Sequence, residues 1–268
     1  MADQANWITS NTKEAASLNA LGFPIVHIDV VEQCVDDNIV GTTSIQMSIG
    51  ATNVYHPGLA LRDVINPWRE GTLATENPMH PYLIGLRACN AYDRLQHWIH
   101  TGTRYRLRLA AGDRCTVHER GEELASLRAQ PMAETDDLRL ACALTGLGFP
   151  ALDLVGSGKY KTIRLPQFGH AIKDADGNWQ TPDIVPLVAR VPGKRDLLIE
   201  LTQPLHPIVA AYNAGHVHSQ LLSAIKSRSR RRTLAISPET FTGRCAIVSE
   251  FATGKVMDNV GRHLGLNT

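Results

Sequence analysis

The chain has 268 residues, a formal net charge of +1, 43% hydrophobic and 20% charged residues. That length suits one or two domains of ~100–200 residues, and the composition is that of a globular protein with a substantial core. Near-neutral charge excludes a polyelectrolyte acting through its overall field, and no apolar run approaches the ~20 residues of a helical membrane span.

Ser10 and Asn11 can cap a helix through Glu14, Ala15, Leu18 and Leu21. Gly22 suits a left-handed stop, with Pro24 beyond. Ile25 to Val31 reads as a strand, Gln33 to Gly41 as a loop, and Thr42 to Ile49 as a second strand with Thr43, Ile45, Met47 and Ile49 on one face. The turn-rich stretch from Gly50 to Asn77 leaves room for a further strand or two. Pro81 then fits the first position of the strongest helix, whose stripe is Leu83, Leu86, Ala91, Leu95, Trp98 and Ile99. Arg104 to Leu109 alternates basic and other residues.

Glu119 to Ala129 reads as a polar connector helix ended by Gln130-Pro131. Asp136 or Asp137 caps a helix through Leu138, Ala141 and Leu144. Ala151 to Val155 and Tyr160 to Leu165 read as paired strands about the turn Gly156-Ser157-Gly158. Val185 to Val191 and Leu197 to Leu201 are further strand candidates, separated by the loop Pro192-Gly193-Lys194-Arg195. His206-Pro207 opens a second long helix to about Ile225, and a last helix is expected between Val248 and Leu264.

Two landmarks recur at one offset. Pro78-Met79-His80-Pro81 returns as Pro204-Leu205-His206-Pro207, and Gly22-Phe23-Pro24 as Gly148-Phe149-Pro150, each displaced by 126, the difference between 204 and 78. Ala15 and Ala141, Leu18 and Leu144, Ala88 and Ala214, and Leu95 and Leu221 keep that register. The expectation is an α+β fold made by tandem duplication of a helix–β-hairpin–helix unit, the two units packed about a pseudo-two-fold axis. The units are 1–118 and 136–268, the second with a C-terminal helix, joined by a helical connector over 119–135.

His80 and His206 at matching positions suggest acid–base chemistry across a pseudo-symmetric cleft, but a polar residue directly before a helix-opening proline is also where an N-cap sits. Gly156-Ser157-Gly158-Lys159 lacks the GxxxxGK[ST] spacing of a phosphate loop and precedes a strand, so it reads as a hairpin turn. His27 and Asp29 share a strand face but lack matching partners at the offset. Cys34, Cys89, Cys115, Cys142 and Cys245 form no CxxC pair, and Cys115 with His118 supplies only two ligands, so no metal or cofactor is expected. Buried thiols and the absence of a basic n-region and apolar h-region after Met1 point to a cytoplasmic protein.

The basic segments carry the functional reading. Arg104, Arg106 and Arg108 follow the first long helix, and Lys226, Arg228, Arg230, Arg231 and Arg232 the second; Lys159 and Lys161 add a spaced pair. Arginines two apart on an extended segment form a comb at ~3.3 Å per residue that can follow phosphates. Tyr105 and Tyr160 lie close enough in sequence to stack on bases. The sequence therefore predicts a non-enzymatic nucleic-acid-binding protein, DNA or RNA, as one component of a protein–nucleic acid assembly. A second reading is an adaptor presenting two similar surfaces to a protein partner or to itself. A third is an enzyme using His80 and His206. No membrane partner is expected.

Overall fold

The computed structural model describes residues 6–23, 25–35, 38–48, 59–101, 108–109, 115–116, 129, 131–157, 160–169, 172–173, 179–180, 183–193, 197–203, 206–226, 235–236 and 247–248. Helices and small antiparallel sheets make an α+β fold. Strand β1 (Asn6–Thr9) leads into helix α1 (Thr12–Ala20), then the hairpin of β2 (Ile25–Val35) and β3 (Asn38–Ser48). Strand β3 is central, giving the order β1-β3-β2. Helices α2 (Leu61–Glu70) and α3 (Thr72–Glu76) precede the long α4 (Pro81–Thr101). A short pair follows, β4 (Arg108–Leu109) with β5 (Cys115–Thr116).

Strand β6 (Met132–Thr135) then leads into α5 (Leu138–Leu147) and the hairpin of β7 (Asp153–Ser157) and β8 (Tyr160–Pro166), in the order β6-β8-β7. After β9 (Ile172–Lys173) and β10 (Trp179–Gln180) come two short helices, α6 (Val185–Val188) and α7 (Leu198–Thr202). The long α8 (Pro207–Lys226) follows, then β11 (Ala235–Ile236) paired with β12 (Ile247–Val248).

Side-chain chemistry sets the helix ends. Asn11 Oδ1 accepts from the amides of Lys13 and Glu14 at 3.0 and 3.4 Å, and Thr9 Oγ1 accepts from the Asn11 amide. Asp137 Oδ1 does the same for Arg139 and Leu140 at 3.0 and 3.3 Å, with Thr135 Oγ1 accepting from the Asp137 amide. Both helices stop at a glycine of positive φ, Gly22 at 101° and Gly148 at 110°. The Phe23 amide returns to the Leu18 carbonyl and the Phe149 amide to that of Leu144. Only glycine takes this left-handed turn without strain, and it satisfies carbonyls that the helix end would otherwise orphan.

Two apolar clusters form the core, and both long helices contribute to each. Helix α4 gives Tyr82, Leu83, Leu86 and Cys89 to the cluster holding Ile25, Ile45 and Met47 of the first sheet. Its Ile84, Ala88, Ala91, Leu95 and Trp98 go to the cluster holding Ile163 and Leu165 of the second. Helix α8 sends Ala214, Val217 and Leu221 to the first cluster and Ile208, Val209, Ala211 and Tyr212 to the second. The first two turns of α4 are therefore buried on every side, Tyr82 through Cys89, wider than the one-sided stripe expected from the sequence.

Several local expectations are corrected. Gln33 and Cys34 extend β2, and Asn38 to Gly41 begin β3, so only Asp36 and Asp37 remain between the strands. The stretch expected to hold extra strands contains α2 and α3, capped by Asp63 Oδ2 accepting from the Ala60 amide at 3.0 Å and ended at Gly71, φ 78°. Val185–Val188 and Leu198–Thr202 are helical turns, with extended pairing reduced to one bridge between Arg190 and Leu197. Apolar runs of four or five residues fit either state, and here Leu187 and Ile199 face the core from helices. Met132–Thr135, placed in the connector on sequence, pair with β8 in the second sheet. The expected connector helix, Glu119 to Ala129, lies outside the described residues except for Ala129, and the expected C-terminal helix except for Val248, which is in β12.

Candidate nucleic-acid interface

Helices α4 and α8 lie side by side and run in the same direction. A Cβ on Gly85 would meet Ala214 Cβ at 3.2 Å, and Cys89 Sγ lies 3.6 Å from the Ala214 carbonyl. One turn further, Asp93 Oδ1 accepts from His218 Nε2 at 2.8 Å. Further still, Gln96 faces Leu222, Ser223 and Lys226 across a groove of about 350 Å³. The contacts advance together on both helices. Each helix ends eight residues past this pair, at Thr101 and at Lys226, or ~12 Å at 1.5 Å per residue. Their C-terminal ends share one end of the molecule.

The basic residues sort by position relative to these ends. Arg104, Tyr105, Arg106, Lys159, Arg228, Arg230, Arg231 and Arg232 lie outside the described residues. Arg104 stands three positions after Thr101, and Arg228 two after Lys226. Arg108 begins β4 opposite Thr116, and Tyr160 begins β8 opposite Ser157. Lys226 is exposed on the last turn of α8, at the groove. Lys161 Nζ is turned inward, donating to the Ile99 carbonyl in the last turn of α4 at 2.6 Å. It places a cation where the helix dipole is negative.

A polar network that sequence reasoning missed adjoins the groove through Asp93. Lys13 Nζ on α1 donates to Asn90 Oδ1 at 2.6 Å and pairs with Asp93 Oδ2 at 2.8 Å, while His218 takes the other carboxylate oxygen. Burial alone would raise the Asp93 carboxyl, but the hydrogen bonds and charges of His218 and Lys13 outweigh it and hold the group below the usual aspartate range. The His218 side chain is 1% exposed and its Nδ1 is buried without a partner. The Tyr92 ring meets the His218 ring edge-on at 5.9 Å, and Tyr92 Oη accepts from Gln96 Nε2 at 2.9 Å. One signal was legible: His218 falls on the apolar stripe Ala214, Val217, Leu221, where a polar side chain needs a buried partner. Asp93 carries no such mark.

The paired histidines are helix caps. His80 Nδ1 accepts from the Tyr82 amide and His206 Nδ1 from the Ile208 amide, each at 3.2 Å. Both side chains are turned to their own helix backbone, which removes the geometric basis for a shared acid–base cleft. The hairpin is present, but Gly156, φ 106°, and Ser157, expected in its turn, are the last residues of β7 and pair with Lys161 and Tyr160 of β8. Cys89 and Cys142 are buried thiols raised by desolvation, Cys89 to about 12. Among the described residues no group of three or more His, Cys, Asp or Glu could hold a metal, and no helix is long and apolar enough to cross a membrane. No protein-family model, curated protein or solved structure matches this chain.

Proposed function

We propose that the chain is an internally duplicated α+β protein that binds nucleic acid without catalysis. Its two units would be related by a pseudo-two-fold axis running between α4 and α8. Its phosphate contacts would come from Arg104, Arg106, Arg108, Lys226, Arg228, Arg230, Arg231 and Arg232. The observation that carries this reading is the shared direction of α4 and α8, each of which is followed in the sequence by a basic segment.

Polar contacts that obey the sequence offset of 126 support the duplication. Asn11 and Asp137 both cap, with Thr9 and Thr135 behind them; His80 and His206 cap the long helices. Lys13 reaches Asn90 at 2.6 Å, and at the same offset Arg139 reaches His216 at 2.9 Å. Tyr92 on α4 and His218 on α8, themselves an offset pair, meet edge-on at 5.9 Å.

The alternative use of the cations is to neutralise the helix ends. Two helix C-termini present about one negative charge together, at ~0.5 each. Lys161 already serves α4. The eight cations named above exceed what two helix ends can use, which favours an anionic partner for the excess.

Protein purified at low salt should carry a raised ratio of absorbance at 260 nm to that at 280 nm, and a high-salt wash should lower it. A protein-only ratio at low salt, with a defined protein complex free of nucleic acid, would favour the adaptor reading instead.

A further inference from the structure

A cation on each shorter helix reaches across to a long helix, and the two acceptors differ. From α1, Lys13 Nζ donates to Asn90 Oδ1 of α4 at 2.6 Å. From α5, Arg139 Nη1 donates to His216 Nδ1 of α8 at 2.9 Å. The offset of 126 relates the two donors to each other and the two acceptors to each other. A guanidinium has donors and no acceptor, so His216 Nδ1 is the unprotonated nitrogen of a neutral ring. The Asn90 amide takes no proton near neutral pH. The His216 imidazole belongs to the one side-chain class that ordinarily does.

Protonation of His216 would turn its Nδ1 into a donor and set two cations against each other. The charges around it offer little relief. Beside Arg139 on α5 stands Asp137, 3.8 Å from Arg139 Nε. That carboxylate already caps α5, accepts from Tyr212 Oη at 2.9 Å and pairs with Arg190 at 3.5 Å. The Tyr212 ring lies 5.0 Å from the Arg139 guanidinium. Where α4 and α1 pack on α8, Asp93 is taken by His218 and Lys13. Each of these carboxylates is therefore engaged with other partners.

We propose that His216 is an acid-sensitive clasp: its protonation releases Arg139 and loosens α5 from α8, while the matching contact of Lys13 with Asn90 keeps α1 on α4. The chain would then respond to acid on one side of its helical centre. The histidine caps do not create that asymmetry, because His80 and His206 hold the starts of α4 and α8 alike. A contact that requires the neutral ring is complete above the ordinary histidine value of ~6.5 and weakens as pH falls below it. The clasp would act whatever the chain binds.

Backbone amide hydrogen exchange of the full chain, compared at pH 7.5 and 5.5 after correction for the intrinsic pH dependence, reads the two sides separately. Peptides from α5 should lose roughly tenfold in protection at pH 5.5, the scale of one hydrogen bond to a charged group, and peptides from α1 should not. His216→Asn installs the acceptor found at Asn90. It should match the parent at pH 7.5 and abolish the loss in α5 at pH 5.5. Nuclear magnetic resonance of the parent needs no variant: the Arg139 side-chain Nε–H signal should shift along the titration of the His216 ring. Unchanged protection of α5 at pH 5.5, an equal loss in α1, a parent-like acid response in His216→Asn, or an Arg139 signal indifferent to His216 would each overturn the clasp.

Discussion

Gly146 sits where α5 presses against the backbone of α4. A Cβ there would lie 2.8 Å from the Ile84 carbonyl oxygen and 3.1 Å from the Ala88 nitrogen. Both are main-chain atoms inside a helix, so no side chain can rotate away. The helices would have to part by roughly 0.5 Å, and a radial gap of that size forfeits about a quarter of each neighbouring dispersion contact. Overpacking of this kind costs ~1–3 kcal/mol, against ~1 kcal/mol gained when alanine replaces glycine in a helix. With backbone at 2.8 Å the upper half of that range applies, ~2–3 kcal/mol, and Gly146→Ala should destabilise by about 1–2 kcal/mol net. Gly215, in α8, provides the control: a Cβ there meets nothing within 4 Å, so Gly215→Ala should stabilise by up to ~1 kcal/mol. Urea unfolding followed by circular dichroism should show the two midpoints moving in opposite directions at an unchanged slope. If Gly146→Ala unfolds at the same urea concentration as the parent or later, α4 and α5 are not in backbone contact, and the helical centre is wrong.

Two further substitutions test the caps. Burial lowers the His206 pKa, and its Nδ1 must stay unprotonated to accept from Ile208. A histidine whose folded pKa is depressed contributes fully above its unfolded value of ~6.5 and loses that contribution as pH falls toward the folded value. His206→Asn, which keeps an acceptor, should match the parent at pH 7.5 and lose less thermal stability between pH 7 and 5; parallel curves would refute the cap. Asp137 caps α5, accepts from Tyr212 Oη at 2.9 Å and pairs with Arg190 at 3.5 Å. Asp137→Ala should cost about 2–3 kcal/mol, combining a cap with a hydrogen bond. Asp137→Asn, which retains a capping oxygen, should cost under about 1 kcal/mol, and equal losses in chemical denaturation would contradict the capping role.

The elements that sequence located carry local signals. Asn11, Asp137, Gly22 and Gly148 mark helix ends because capping and left-handed turns demand those residue types. The β7–β8 hairpin follows from glycine at Gly156 and the alternation after Tyr160. The short helices α6 and α7 were missed because brief apolar runs next to glycine and proline fit strand and helical turn alike, and tertiary packing decides between them. The polar network was hidden for another reason. Lys13, Asp93 and His218 come from three helices, and only the packing of α1 on α4 and α8 brings them within 2.8 Å. Lys161 shows the same limit: its spacing with Lys159 suggested a phosphate comb, while the fold gives it the Ile99 carbonyl.

The most direct test of phosphate binding by the basic segments is the salt dependence of single-strand affinity, measured for the parent and for Arg230, Arg231 and Arg232 changed together to Ala. Each arginine bound to a single strand contributes about 0.7 to the slope of log affinity against log salt concentration. The combined variant should bind more weakly at low salt, with a slope shallower by about 2. Identical affinity and identical slope in the two proteins would contradict the account.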